Sequence, residues 1–141
     1  CDLAIASYES KFATPGVNLG LFCSTPMVAL SRNVNKKNAM EMLLTGDFIS
    51  AEKAKEIGLI NNAVSKEELA SKVTELAEKI ASKSTMTVTT GKKAFYAQTE
   101  MDLSKAYEYT SKIMTDNLLK HDAKEGINAF IEKRPPDWKD E

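Results

Sequence analysis

The sequence predicts an α/β domain rich in helix and poor in strand, with few short strands gathered mainly at its front. Three observations carry this. Apolar residues recur at intervals of three and four through most of the chain after residue 34, the spacing of a helix face. Runs that read as strands are short: Leu3–Tyr8, Lys11–Thr14 and Leu59–Val64. Charge is uneven, since only Asp2, Glu9 and Lys11 are charged before Arg32, so the front of the chain reads as interior. Strands this few and short do not form an independent sheet with buried faces. They are expected to complete a sheet whose other strands come from an upstream segment or a separate chain.

Taken in order, LAIASY (3–8) is an apolar run around β-branched Ile5. Lys11–Thr14 is a second short strand, stopped by Pro15. Ser24 is a cap candidate with Pro26 in the first turn, and Met27–Ser31 continues as a short helix. Asn35 starts a clearer helix with Ala39, Met40, Leu43 and Leu44 on one face and Gly46 at its C-cap. Ser50 opens a short helix with Ala54 and Ile57 inward, ended by Gly58. Ser65–Lys83 carries a capping box, Ser65 with Glu68, and the repeat Leu69, Val73, Leu76, Ile80. Ser84–Thr90 is threonine-rich and ambiguous, whereas Gly91–Gln98 reads as helix with Ala94 and Phe95 toward a core. Asp102–Leu119 is long and amphipathic. Asp122–Arg134 is the last helix, ended by Pro135 and Pro136.

Composition excludes several classes. At 141 residues, 43% hydrophobic and 28% charged, the chain is long enough for one domain with a real core. Nineteen basic residues against 20 acidic ones give a net charge of −1, and no basic stripe argues for nucleic acid. Cys1 and Cys23 are too few for a disulfide framework. No apolar run reaches the roughly 20 residues of a membrane span. A chain that opens on Cys is expected to be processed or partial, and no targeting segment is visible in it.

The most unusual stretch is Phe12–Pro26, FATPGVNLGLFCSTP. It has two prolines, two glycines and no charge, so its backbone turns sharply while Phe and Leu side chains press on a core. This is the profile of a pocket wall.

Three stretches together resemble the crotonase superfamily, the enoyl-CoA hydratase/isomerase family. CDLAIAS with FATPGVNLGLFCSTP is similar to that family's strand, Phe-x-x-Pro-Glu, Leu-Gly and Pro pattern. LLTGDFISAEKAKEIGLIN is similar to its Leu-Thr-Gly, Ala-x-x-Ala and Gly-Leu-(Ile/Val) run, and KEGINAFIEKRPPDW to its C-terminal Glu-Gly, Ala-Phe and Glu-Lys-Arg pattern. The resemblance implies a crotonase (ClpP/crotonase-like) fold, here its helix-rich C-terminal half. Residues 1–64 would be the second part of the crotonase core, and 65–141 a helical region for trimer contacts and coenzyme A binding. It also implies an acyl-CoA thioester as ligand, with no further cofactor; beside His121 no second His or Cys cluster argues for a metal site. The expected assembly is a homotrimer or hexamer, or a complex with a chain supplying the N-terminal half. Within the superfamily, TPGVNLGLFCSTP is most similar to a subgroup that is mitochondrial in animals.

The family's oxyanion donors and one of its two catalytic glutamates would fall upstream of Cys1. The other glutamate aligns with Gly16, which has no proton to exchange, so the resemblance implies binding with weak or absent hydration. Pro15, Gly16 and Leu21 remain substrate-binding candidates. Cys23 and Ser24 are weak catalytic candidates for a thioesterase or decarboxylase, with Asp47 another polar neighbour and His121 far off in sequence. The resemblance further implies that Phe130 and Lys133 meet the adenine and phosphates of coenzyme A, their three-residue spacing placing both on one helix face. Plainer readings stay open. Cys23 can be a buried small hydrophobe, Phe130 a core residue, Lys133 a solvated charge, and Gly16 a residue kept for positive φ after Pro15. Loss of all chemistry would leave a structural subunit that uses the helices after Asp102 for assembly.

Overall fold

Four short strands and seven α-helices appear in the computed structural model, which describes residues 1–141. In order they are β1 (Ile5–Ser7), β2 (Lys11–Phe12), a 3₁₀ turn (Pro15–Leu19), α1 (Ser24–Asn33), α2 (Lys36–Thr45), β3 (Ile49–Ser50), α3 (Ala51–Glu56), β4 (Asn62–Val64), α4 (Lys66–Ala81), α5 (Thr85–Gln98), α6 (Leu103–Leu118) and α7 (His121–Glu132). The chain divides into two compact units, Cys1–Leu76 and Ala77–Glu141, with α4 running through the boundary.

In the first unit β1 pairs in parallel with β4, Ala6 opposite Ala63, and β2 pairs antiparallel with β3, Phe12 opposite Ile49. The two pairs remain separate two-stranded sheets. One buried cluster joins Ala6, Ala51, Ala54, Ile60 and Ala63; the other joins Leu30, Val34, Ala39, Met42 and Leu43. Phe12, Ile49 and Leu59 pack against both. The first cluster is mostly alanine, with Ile60 as its one larger side chain.

The α2 face differs from expectation at Met40, Leu44 and Met42. Ala39, Met42 and Leu43 are buried, whereas Met40 and Leu44 are exposed. Spacing alone does not decide which side of a double apolar stripe meets the core. The ends follow local chemistry: Asn35 Oδ1 accepts from Asn38 N–H, and Gly46 closes the helix in the left-handed conformation at φ 67°. Ser50 caps α3 through Lys53 N–H. Ser65 caps α4 through Glu68 N–H, but Glu68 accepts the Ser65 hydroxyl at 2.6 Å, where a full capping box would have it accept Ser65 N–H.

In the second unit the ambiguous 84–90 stretch is helical from Thr85, with Ser84 as its cap. Ser84 Oγ accepts from Thr87 N–H, and Asp140 Oδ1 accepts from Met86 N–H. A cap reaching back from the C-terminal tail thus completes a helix start that local propensity left undecided. Asp102 caps α6 through Lys105 N–H. Ala94, Ala106 and Ala129 are the buried apolar residues of α5, α6 and α7. Phe95 is not turned to a core: it is exposed and meets Tyr96 edge-to-face with centroids 5.4 Å apart. The last helix stops at Glu132, because Lys133 takes the left-handed conformation at φ 54° and ends it before the prolines are reached.

Candidate functional site

Pro15 opens the 3₁₀ turn and Gly20 closes it at φ 75°, its N–H donating to the Val17 carbonyl. The turn is held to α2 by the buried Thr14 hydroxyl, which donates to the Met42 carbonyl at 2.9 Å. It folds back on itself through Leu21 N–H to the Gly16 carbonyl at 3.0 Å and Gly16 N–H to Cys23 Sγ at 3.3 Å.

Gly16 is not at positive φ; Gly20, Gly46 and Gly58 are the glycines that are. Its reason is space. A Cβ at position 16 would lie 2.6 Å from the Leu21 carbonyl oxygen and 2.7 Å from Cys23 Sγ. No side chain fits there unless the return of the chain through residues 21–23 moves. The positive-φ explanation is therefore corrected, and any side chain at this position would have to displace the Leu21 carbonyl and the Cys23 sulfur.

The other candidates surround this turn. Pro15 and Leu21 are exposed and Cys23 is half-buried. The Cys23 sulfur accepts from a backbone amide, and the Ser24 hydroxyl donates to the Phe22 carbonyl at 3.3 Å. Neither is hydrogen-bonded to an imidazole, amine or carboxylate that would activate it. Ser24 is the first residue of α1, with Cys23 at the cap position, so the cap expected at Ser24 falls one residue earlier and makes no side-chain bond. Asp47 is exposed and its N–H donates to the Thr45 hydroxyl.

The ends of the Phe12–Pro26 stretch, Phe12 to Thr14 and Pro26, line a cleft of about 560 Å³ together with Leu3, Leu30, Met42 and Asn61. Its middle, Pro15 to Thr25, does not. The wall read from the sequence is thus two features, a cleft and a tight turn beside it.

In the second unit the C-terminal motif separates into residues that build and residues that face out. Glu125 takes the Arg134 guanidinium through both oxygens at 2.6 and 2.9 Å, and Oε1 also accepts Asp137 N–H at 2.8 Å. The Arg134 guanidinium, then Asp137 N–H, hold the Glu125 carboxyl down to about 2. Asp122 is 1% exposed and accepts Lys139 and Asp140 N–H at 2.8 and 3.0 Å. The Ser84 hydroxyl is the largest of the causes that lower its carboxyl to about 2, ahead of these amides and against the opposing cost of burial. His121 sits exposed at the helix start, its Nδ1 3.4 Å from Asp122 Oδ1.

Phe130 is 85% exposed, which overturns the core reading of that residue. It borders an apolar cavity of about 590 Å³ with Val88, Ile127 and Trp138. Lys133 lies past the end of α7, so helical spacing does not place it on the face of Phe130. Asp122 and Trp138 were not legible as a structural pair of anchors. The one signal was Gly126, whose added Cβ would lie 3.1 Å from the Trp138 ring.

Against this geometry, the comparisons are consistent. The family model described as enoyl-CoA hydratase/isomerase matches residues 1–141. The rat protein "Enoyl-CoA hydratase domain-containing protein 3, mitochondrial" is 55% identical over 138 residues, 98% of this chain and 46% of its own length. The crystal structure of enoyl-CoA hydratase from Mycobacterium smegmatis superposes with a TM-score of 0.94 at 47% identity, covering 98% of this chain and 54% of that one. That of human enoyl coenzyme A hydratase domain-containing protein 3 gives 0.93 at 53% identity, covering 98% and 55%. The chain spans about half the length of the curated relatives it matches. It has the crotonase fold as that fold's helix-rich C-terminal half.

Proposed function

Because the chain belongs to the enoyl-CoA hydratase/isomerase family, we propose that it binds an acyl-CoA thioester and hydrates enoyl-CoA weakly or not at all. Gly16 carries this reading. By resemblance it stands where the family has a glutamate for general acid/base work, and the Leu21 carbonyl and Cys23 sulfur fill the space a Cβ would need. Pro15, Gly16 and Leu21 would border the thioester, with Phe130 and Lys133 offered to the nucleotide end. Coenzyme A enters as part of the ligand, without a separate cofactor. The names of the relatives support a mitochondrial location.

Crotonyl-CoA added to the purified protein tests the hydration half, and loss of enoyl absorbance at the rate of an active hydratase would overturn it. Calorimetry with coenzyme A and short acyl-CoAs tests the binding half, where saturable heat is expected.

One observation favours a second reading, a non-catalytic subunit used for assembly. Leu103, Tyr107, Met114, Leu118, Phe130 and Ile131 are all more than half exposed on α6 and α7. A homotrimer or hexamer, or a complex with a chain supplying the N-terminal half, would cover such side chains. That reading predicts no saturable heat with any acyl-CoA, together with a sedimentation mass above that of the monomer.

A further inference from the structure

The residues after Lys133 form neither helix nor strand, yet Arg134 and Asp137 to Glu141 are each hydrogen-bonded to a helix residue or to Ser82, just past α4. The Arg134 guanidinium is held by Glu125 and, through Nε at 2.6 Å, by Glu132; the Arg134 main-chain N–H donates to the Ala129 carbonyl, and Asp137 N–H donates to Glu125. Lys139 and Asp140 N–H are held by Asp122, whose own N–H donates to the Glu141 main-chain oxygen. Trp138 Nε1 donates to the Ser82 carbonyl at 2.9 Å, and the Asp140 carboxylate caps α5 at Met86. The attachments are largely polar, with two carboxylates at their centre. A segment held mainly by hydrogen bonds, outside any helix or strand, opens separately from a helical core.

Trp138 gives the arrangement a consequence. Its ring rests on Gly126, close enough that a Cβ there would sit 3.1 Å from Cη2, and it is one wall of the apolar cavity bordered by Phe130, Ile127 and Val88. We propose that residues 134–141 are a releasable strap, pinned by the carboxylates of Asp122 and Glu125, whose release withdraws Trp138 and opens that cavity while α5, α6 and α7 stay folded. The two pins act on different parts of the strap. Glu125 fixes its first part through Asp137 N–H and, together with Glu132, through Arg134, and Asp122 fixes its end through the amides of Lys139 and Asp140. Both must hold for Trp138, which lies between them, to stay seated.

Trp138 is the sole tryptophan of the 141-residue chain, so its fluorescence reports the strap alone. The test is acrylamide quenching and emission wavelength, alongside helix content by circular dichroism, in the wild type, D122N and E125Q at pH 7. The expected result is a red shift and about a twofold or greater rise in quenching in each variant with helix content unchanged. The proposal is overturned by quenching equal to wild type in either variant, or by helix loss in step with Trp138 exposure. Should a variant fail to fold, the wild type decides in urea: Trp138 exposure at lower urea than the loss of helix supports the strap, and coincident transitions overturn it.

Discussion

Replacing Gly16 with Ala, and separately with Glu, is the sharpest perturbation the structure offers. The added Cβ meets the Leu21 carbonyl oxygen at 2.6 Å and Cys23 Sγ at 2.7 Å, where ordinary contact begins near 3.4 Å. The return of the chain must therefore retreat by about 0.8 Å, well beyond what a packed turn gives freely. That retreat strains two hydrogen bonds, Gly16 N–H to Cys23 Sγ and Leu21 N–H to Gly16. Overpacking of this kind costs about 1–3 kcal/mol, against about 0.4–1 kcal/mol returned by stiffening the unfolded chain. Gly16→Ala should thus lose about 1–2 kcal/mol in urea unfolding, with the m-value unchanged. Gly16→Glu should lose at least as much and gain no crotonyl-CoA turnover, because its carboxylate sits on a displaced turn. Cys23→Ala in the Gly16→Ala background should recover only part of the loss, since the backbone oxygen of Leu21 remains. A Gly16→Ala variant as stable as wild type, or a Gly16→Glu variant that hydrates crotonyl-CoA, would refute the steric argument.

Other expectations follow from burial and charge. Leu43→Ala removes a side chain 2% exposed on α2 and should cost about 2–5 kcal/mol in urea unfolding; a loss under about 1 kcal/mol would mean the site collapses freely. Asp122 and Glu125 are lowered in the folded state to about 2, so the stability they supply is complete above their unfolded values near 4 and is lost as pH falls toward 2. Urea midpoints should fall across that window in the wild type and less steeply in D122N and E125Q; equal slopes would deny the carboxylates this role. Gly126→Ala gains about 1 kcal/mol of helix propensity but presses on Trp138, so near-neutral stability with shifted tryptophan emission is expected. Unchanged emission would show that the ring does not rest on that glycine.

Most helices were legible because their signals are local. Asn35, Ser50, Ser65 and Asp102 each cap the helix that follows through their own side chains. Such a bond spans three residues and can be read from residue types alone. Ser84–Thr90 was not legible, since part of its cap comes from Asp140, 54 residues away. The faces of α2 and α5 were half legible. Spacing marks a stripe, but the choice of Met42 over Met40, and the exposure of Phe95, depend on which neighbour arrives.

By itself the sequence determined the class, the family and that position 16 carries no carboxylate, because each is a matter of which residues stand where. Tertiary structure alone decided why that position is glycine. The answer is a distance between Gly16 and two residues five and seven places on, visible only once the turn closes. It also decided that Phe130 faces outward and that Asp122 and Glu125 serve the tail, because burial and long-range hydrogen bonds are properties of packing that no local pattern encodes.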